Sequence, residues 1–555
     1  MDLDATRVAI DVLRHGGNAV DAAVAAAATL GVTEPFSSGL GGGGFFVFYD
    51  ARTGKVHTID GREAAPASMK EDAFVNPATG QPYAFQEARI SGVSVGVPGT
   101  PQTWQTALRK WGTISLRDAL RPAIKIADRG FVVDPTFRGQ IADNLAAFLQ
   151  FSSTSALYLP GGAPPAVGST FRNRDLAKTY RLLSRQGVNS FYRGDLAADI
   201  VRTVQHPPLA DTPPVTWQYP IRPGGMTALD LAGYDVRTPR PTHIRYRGYD
   251  VYGMPTPSSG GSTVGEGLNI VENWDLGDLS RTQALHRYLE ASALAFADRN
   301  RYVGDDTSRA LLEELLSQGF ARERACLIDP AHALVKPVPP GVPDGTYNQQ
   351  CAGVAPASVQ TNERGTTNLT VTDRWGNVVE YTLTIEQIGG NAMVVPGRGF
   401  LLNNELTDFN FTPTQCSAPD PNLPAPGKRP RSSMAPTILL RHGKPFLATG
   451  SPGGASIITT VFQILLNRID FGMTLPEAVA APRGSQRNAA TGQAEPAFLA
   501  SPEAAGLMTL GHAFASTPEL GAATGVEFLP DGRVVAAAEP VRRGAGSAAV
   551  VKPAQ

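Results

Sequence analysis

Apolar and small residues recur at helical spacing near the start of the chain, so residues 6–16 and 18–32 predict two helices broken at Gly16 and Gly17. The second, NAVDAAVAAAATLGV, carries a small-residue face suited to close approach. The period then changes. SSGLGGGGFFVFYDARTGKVHTID reads as a glycine run feeding an apolar strand, a turn at 52–55 and a second strand. Roughly 100 to 330 alternates helical stretches, TWQTALRKWG and QALHRYLEASALAFADRNRYVG among them, with short strands and Pro-rich loops. Over 329–365 the prolines at 330, 337, 339, 340 and 343 forbid regular structure and predict a mobile, exposed connection, with a boundary there. Beyond it strand patterns dominate: TNLTVTDRWGNVVEYTLTIE, TILLRHGKPFLATG and GVEFLPDGRVVAAAEP each predict a hairpin.

The first of these hairpins carries candidate chemistry. Its turn at 373–377 centres on Trp375, which pairs Thr366 with Thr384. Opposed residues of an antiparallel pair have Cβ atoms about 5 Å apart, within reach of two hydroxyls. Asn368, Thr370, Thr382 and Glu386 share that polar face, expected to look into a site, whereas Leu369, Val371, Tyr381, Leu383 and Ile385 share the apolar one. Threonine is a favoured strand residue, so a cross-strand row of threonines is ordinary by itself. The segment before it changes the picture. Gly365 ends a Pro-rich tail and Thr366 opens a strand, so a hydroxyl there is poised to attack the preceding carbonyl and split the chain. Cleavage would give Thr366 a free α-amine with a pKa of about 7.7 to 8.0, a neutral-pH base on the same residue as the nucleophile.

With 555 residues the chain has room for two to four average domains or one large body. Lys plus Arg total 49 against 50 Asp plus Glu, which gives no charge excess to attract nucleic acid or an anionic membrane and favours a small molecule or peptide. Gly (58) and Pro (45) follow no period, which indicates ordered loops. Cys326, Cys351 and Cys416 form no C-x-x-C, and the eight histidines are scattered without metal spacing, which argues against a metal or redox centre. A Cys326–Cys351 disulfide would suit an exported protein, leaving Cys416 unpaired; three inert thiols is the favoured reading. No run of about twenty apolar residues exists to span a membrane. No signal peptide opens the chain, and export is left open.

From about Asp4 to Ala548 the sequence resembles the γ-glutamyltransferases, N-terminal nucleophile hydrolases. The matching segments are GGNAVDAAVA, GLGGGGF, DGREAAPASM, GVPGT, YRGYDVYGMPTPSSGG, TTNLTVTDRWGN, GFLLNNELTDF, KRPRSSMAPT and TGSPGG, in that family's order. The resemblance implies an α+β fold, an αββα sandwich of two stacked antiparallel sheets between helical layers. It implies cleavage between Gly365 and Thr366 into fragments 1–365 and 366–555 that stay associated in one body. It further implies that Thr366 is the nucleophile and Thr384 its assisting hydroxyl. Arg62, helped by Ser432 and Ser433, would bind a substrate α-carboxylate, and Glu405 and Asp408 its α-ammonium. Gly453 and Gly454 would aim backbone N–H groups at the developing oxyanion. The donor would be glutathione or a related γ-glutamyl compound, the acceptor water, an amino acid or a dipeptide, and no cofactor is required. The resemblance suggests a periplasmic or secreted location, which the absence of a signal peptide in this chain leaves open. Glu386 stands where many members carry asparagine, adding a third carboxylate near the ammonium pocket, and Asn368 where histidine is common.

Taken singly, Arg62 reads as a surface arginine, Ser432 and Ser433 as an N-cap pair, and Gly453 with Gly454 as a turn. Together they complement the zwitterionic head of an amino acid. Gly39, Gly41 and Gly44 satisfy G-x-G-x-x-G but precede a strand and open no helix, which rejects a dinucleotide site in favour of a close-packed turn. Ser451 in TGSPG lacks the first glycine of a nucleophile elbow and has no evident histidine. Two rivals stay: a cephalosporin or glutaryl acylase on the same fold, disfavoured by Asp408, and an inactive relative that never processes.

Overall fold

Asp2 accepts the backbone N–H groups of Asp4 and Ala5 and so starts α1 (Leu3–Arg14), and Asn18 with Asp21 closes a capping box at the head of α2 (Ala19–Thr33). The computed structural model describes residues 2–347, 365–415 and 418–552. The capping Asp2 begins the first helix earlier than periodicity alone predicts. The break at Gly16 and Gly17 is where expected, with Gly16 at φ 89°. Every residue of α2 is buried, and its small side chains let it lie against the 365–386 hairpin of the first sheet.

That sheet runs β2–β1–β6–β5, from β1 (Gly43–Asp50), β2 (Lys55–Gly61), β5 (Gly365–Thr372) and β6 (Val378–Glu386). The strands β3 (Thr242–Tyr246), β4 (Tyr249–Gly253), β7 (Thr437–Arg441), β8 (Lys444–Gly450), β9 (Thr524–Phe528) and β10 (Val534–Ala538) form a second sheet in the order β10–β9–β8–β7–β4–β3. All strand pairs in both sheets are antiparallel, and the predicted hairpins are all present. The sheets face each other. Phe45, Val47 and Tyr49 of β1 share one core with Ile438, Leu439 and Leu447 of β7 and β8. On the outer side of the first sheet Phe46, Leu369, Tyr381 and Leu383 pack with α2, α3 (Thr100–Trp111) and α4 (Leu116–Arg129). Across the second sheet lie α5 (Gly260–Val271), α6 (Arg281–Tyr302) and α7 (Ser456–Ile469). Helix, sheet, sheet and helix make the expected αββα sandwich. Each sheet joins strands from before position 365 to strands from after it, β1 beside β6 in the first and β4 beside β7 in the second, so the two parts share a core.

Three expectations change. The prolines at 330–343 do prevent regular structure, but the described part of that connection is tied down. Lys336 pairs with buried Glu290 at 2.5 Å, Val338 exchanges two hydrogen bonds with Asn488, and the Gly341 N–H donates to Asp298. Residues 348–364 lie outside the described residues. Cys326 is disulfide-bonded and not an inert thiol, whereas Cys351 and Cys416 lie outside the described residues. The histidines are not all scattered in space. His286 and Glu290, one turn apart on α6, meet His512, with His286 Nδ1 2.7 Å from His512 Nε2. The Lys336 ammonium already holds the cation position on Glu290 Oε1. Among the described residues no helix is long and apolar enough to cross a membrane.

Candidate active site

The β5–β6 hairpin has the predicted register, Thr366 opposite Thr384, because the DRWGN turn fixes its centre. A bulge between Gly365 and Thr366 sets Gly365 opposite Glu386, whose φ of 74° is left-handed. This kink turns the Glu386 N–H back onto the Thr384 hydroxyl at 2.8 Å. A hydroxyl has one proton, so Thr384 donates its own to the Gly365 carbonyl oxygen, 2.6 Å away. The Thr366 hydroxyl lies 2.7 Å from that oxygen and 3.4 Å from Thr384 Oγ1. The peptide bond before Thr366 is thus polarised by one hydroxyl and bordered by another. No side chain fits at 365: a Cβ would come within 2.4 Å of the Glu386 carbonyl oxygen.

Beyond this end the polar face does not look into a site, as the alternation had suggested. Asn368 donates to Glu380 and Thr524 and accepts from Thr382, a buried network closed by the second sheet. Burial pushes the Glu380 carboxyl up to about 8. Glu386 leaves the row at the bulge. Its carboxylate accepts from Gln387 Nε2 and from Asn404 Nδ2, next in sequence to Glu405.

Arg62 follows β2 and is about 1% exposed, which excludes the surface reading. Its guanidinium pairs with Glu405 and Asp408 and also donates to the carbonyls of Pro430 and Arg431. The cation and the two anions assigned to opposite ends of a zwitterion therefore stand in one cluster and neutralise each other in this state. Burial raises the Glu405 carboxyl, opposed by Arg62. Glu63, next to Arg62, is fully buried and burial pushes it up to about 8. The cluster joins the hairpin through β1: Gly43 pairs with Thr384, and a Cβ on Gly43 would lie 2.6 Å from Glu63 Oε2. The glycine run is a close-packed approach of strands, as read, and makes room for Glu63.

Ser432 and Ser433 cap no helix. Ser258 bridges to Ser432, and Ser259 donates both its N–H and its hydroxyl to the Ser432 carbonyl. Arg299 of α6 donates to the hydroxyls of Ser259 and Ser433 at 2.8 and 2.7 Å, so the PTPSSGG segment and one arginine position the serine pair. Gly453 (φ 137°) and Gly454 (φ 59°) form the turn from β8 into α7. Pro452 beside them lines a cavity of about 90 Å³ with Thr366, Asp134, Gln140, Arg542 and Arg543. Arg543 donates to the Thr366 carbonyl at 3.0 Å. Ser451 donates to the Pro452 carbonyl and accepts from the Ala522 N–H, with no histidine among these partners.

Glu63, Arg299 and Arg543 had not been singled out. Glu63 lay in plain view inside DGREAAP, but Arg299 reaches Ser433, and Arg543 the Thr366 carbonyl, across more than a hundred residues, which leaves no local signal.

Known proteins resemble this chain in sequence and in fold. The family described as Gamma-glutamyltranspeptidase matches residues 5–549. A glutathione hydrolase proenzyme of Bacillus subtilis (strain 168) is 39% identical over 485 residues, 86% of this chain and 78% of the relative. An acylase ACY 1 proenzyme of Pseudomonas sp. (strain SE83) is 32% identical over 545 residues, 96% of this chain and 90% of the relative. Among solved structures, a cephalosporin acylase from Bacillus halodurans superposes with a TM-score of 0.83 at 28% identity, covering 99% of this chain and 94% of that one. The match along nearly its whole length shows that the chain belongs to the γ-glutamyltranspeptidase family.

Proposed function

We propose that the protein is a γ-glutamyltransferase and glutathione hydrolase that cuts itself between Gly365 and Thr366. In processing, Thr366 Oγ1 attacks the Gly365 carbonyl carbon while the Thr384 hydroxyl supports the oxyanion. The acyl group passes from nitrogen to oxygen, and water hydrolyses the ester, leaving a Gly365 carboxylate and a free Thr366 amine. That amine then accepts the hydroxyl proton as Thr366 attacks the γ-amide of the donor. The protonated leaving amine departs, and water or an amino-acid or dipeptide acceptor releases the γ-glutamyl group. In this reading the Gly453 and Gly454 amides stabilise the oxyanion, a contribution of about two to three powers of ten per donor. Arg62, Ser432 and Ser433 take the donor α-carboxylate; Glu405, Asp408 and Glu386 surround its ammonium. The observation that carries the reading is the Thr384 hydroxyl, oriented by the Glu386 N–H and aimed at the Gly365 carbonyl oxygen.

The acylase relatives support a second reading, a donor side chain without an ammonium. Against it, a buried group of carboxylates is mismatched to a glutaryl chain. A screen of γ-glutamyl against glutaryl amides separates the two. Turnover of γ-glutamyl amides with little glutaryl turnover is expected; the reverse preference makes the protein an acylase.

A further inference from the structure

Three carboxyl oxygens beside Arg62 meet no donor: both of Glu63 and Oε2 of Glu405. The two side chains are buried to within about 1%, and their carboxyls are close enough for a shared hydrogen bond. Two ionised carboxylates could not form one, since an ionised carboxylate only accepts. Facing each other away from solvent they also repel, and such a pair lowers its energy by keeping one proton between them. The other charged or titratable groups around the pair are Arg62, Asp408, Glu386, Tyr234 and Tyr381. The Arg62 guanidinium is already divided between Glu405 Oε1 and Asp408. Nor can Glu63 turn away. A Cβ on Gly43 would lie 2.6 Å from its Oε2 and one on Gly96 2.6 Å from its Cβ, so both glycines abut it closely.

We propose that Glu63 and Glu405 share one proton, and that Glu63 is a positioning residue holding Glu405 Oε1 on Arg62 so that the pair presents one negative charge to the donor ammonium. This rests on reading the cluster as the donor pocket. At neutral pH the proton stays, because burial holds Glu63 up to about 8. Above that the pair carries two facing negative charges, Glu405 swings from Arg62, and donor binding weakens.

The test is the donor KM of a γ-glutamyl anilide from about pH 6 to about pH 9.5, for the parent and Glu63→Gln. Glutamine donates an N–H to Glu405 without a proton to lose. The donor ammonium and the Thr366 amine titrate in the same range, but they cancel in the ratio of the two enzymes. The ratio of parent to variant KM is expected to stay level below about pH 7 and to rise about tenfold by about pH 9.5, with kcat changing less. Glu405→Gln offers the same donor from the other side of the pair, so it too should lose the alkaline rise, at a KM higher throughout because Arg62 loses a charged partner. Ratios level at every pH, or a variant KM raised equally throughout, overturn the proposal. A parent that turns over no γ-glutamyl donor overturns the donor-pocket reading instead.

Discussion

At the scale of single residues, one proton direction organises the cleavage site. The Glu386 N–H occupies the acceptor side of the Thr384 hydroxyl and leaves its proton no better target than the Gly365 carbonyl. Gly365→Ala should therefore slow fragment formation by about tenfold or more, roughly 1.4 kcal/mol on the barrier, because its Cβ would displace that carbonyl. A time course on denaturing gels measures this, and processing at the parent rate would remove the steric argument. Glu386 holds a left-handed backbone that costs a non-glycine residue about 1–2 kcal/mol and that asparagine tolerates better. Glu386→Asn should keep the thermal midpoint near that of the parent, the relieved backbone offsetting the lost carboxylate bonds, while donor KM changes. An unchanged KM and pH profile would put Glu386 outside the pocket. The threonine pairing was legible because a five-residue turn fixes the register. The bulge was not, since it arises from the approach of 386–388 to Gly365 and not from alternation.

At the scale of elements, the connection before the cleavage site shows why composition misled. Proline removes regular hydrogen bonding, and the pattern says nothing of burial. Yet Lys336, Val338 and Gly341 are held by Glu290, Asn488 and Asp298, three residues far away in sequence. Asn488→Ala leaves the Val338 N–H and carbonyl without that partner, at about 1–3 kcal/mol for a buried unsatisfied group. Limited proteolysis should then cut within residues 330–347 at least several-fold faster than in the parent; equal rates would mean that other contacts suffice. The same long-range logic hid the Arg62 cluster. DGREAAP and NNELTDF were each readable, and their functions were assigned to opposite ends of a ligand, but their direct pairing required the fold.

At the scale of the whole molecule, each of the two sheets hydrogen-bonds strands from one side of position 365 to strands from the other, so cleavage need not separate the parts. The αββα layering was legible from the family resemblance and the hairpins, whereas the buried acids between the layers were not, because a charged residue in a strand pattern reads as solvent-facing. Glu380 is such an acid, held up to about 8 from an ordinary 4.5 by burial. A carboxyl raised by folding contributes stability below its unfolded pKa and loses it as pH climbs to the folded one. In the unprocessed Thr366→Ala chain the thermal midpoint should therefore fall between about pH 4.5 and pH 8, and adding Glu380→Gln should flatten that fall. An unchanged slope would mean that Glu380 is ionised in the folded protein.

The central claim is that the active protein carries a freed threonine amine. Mass spectrometry of the catalytically active preparation tests it directly. Two fragments, one ending at Gly365 and one beginning at Thr366, are predicted, with Thr366→Ala remaining a single inactive chain. An active preparation whose backbone is continuous across Gly365 and Thr366 would contradict the account.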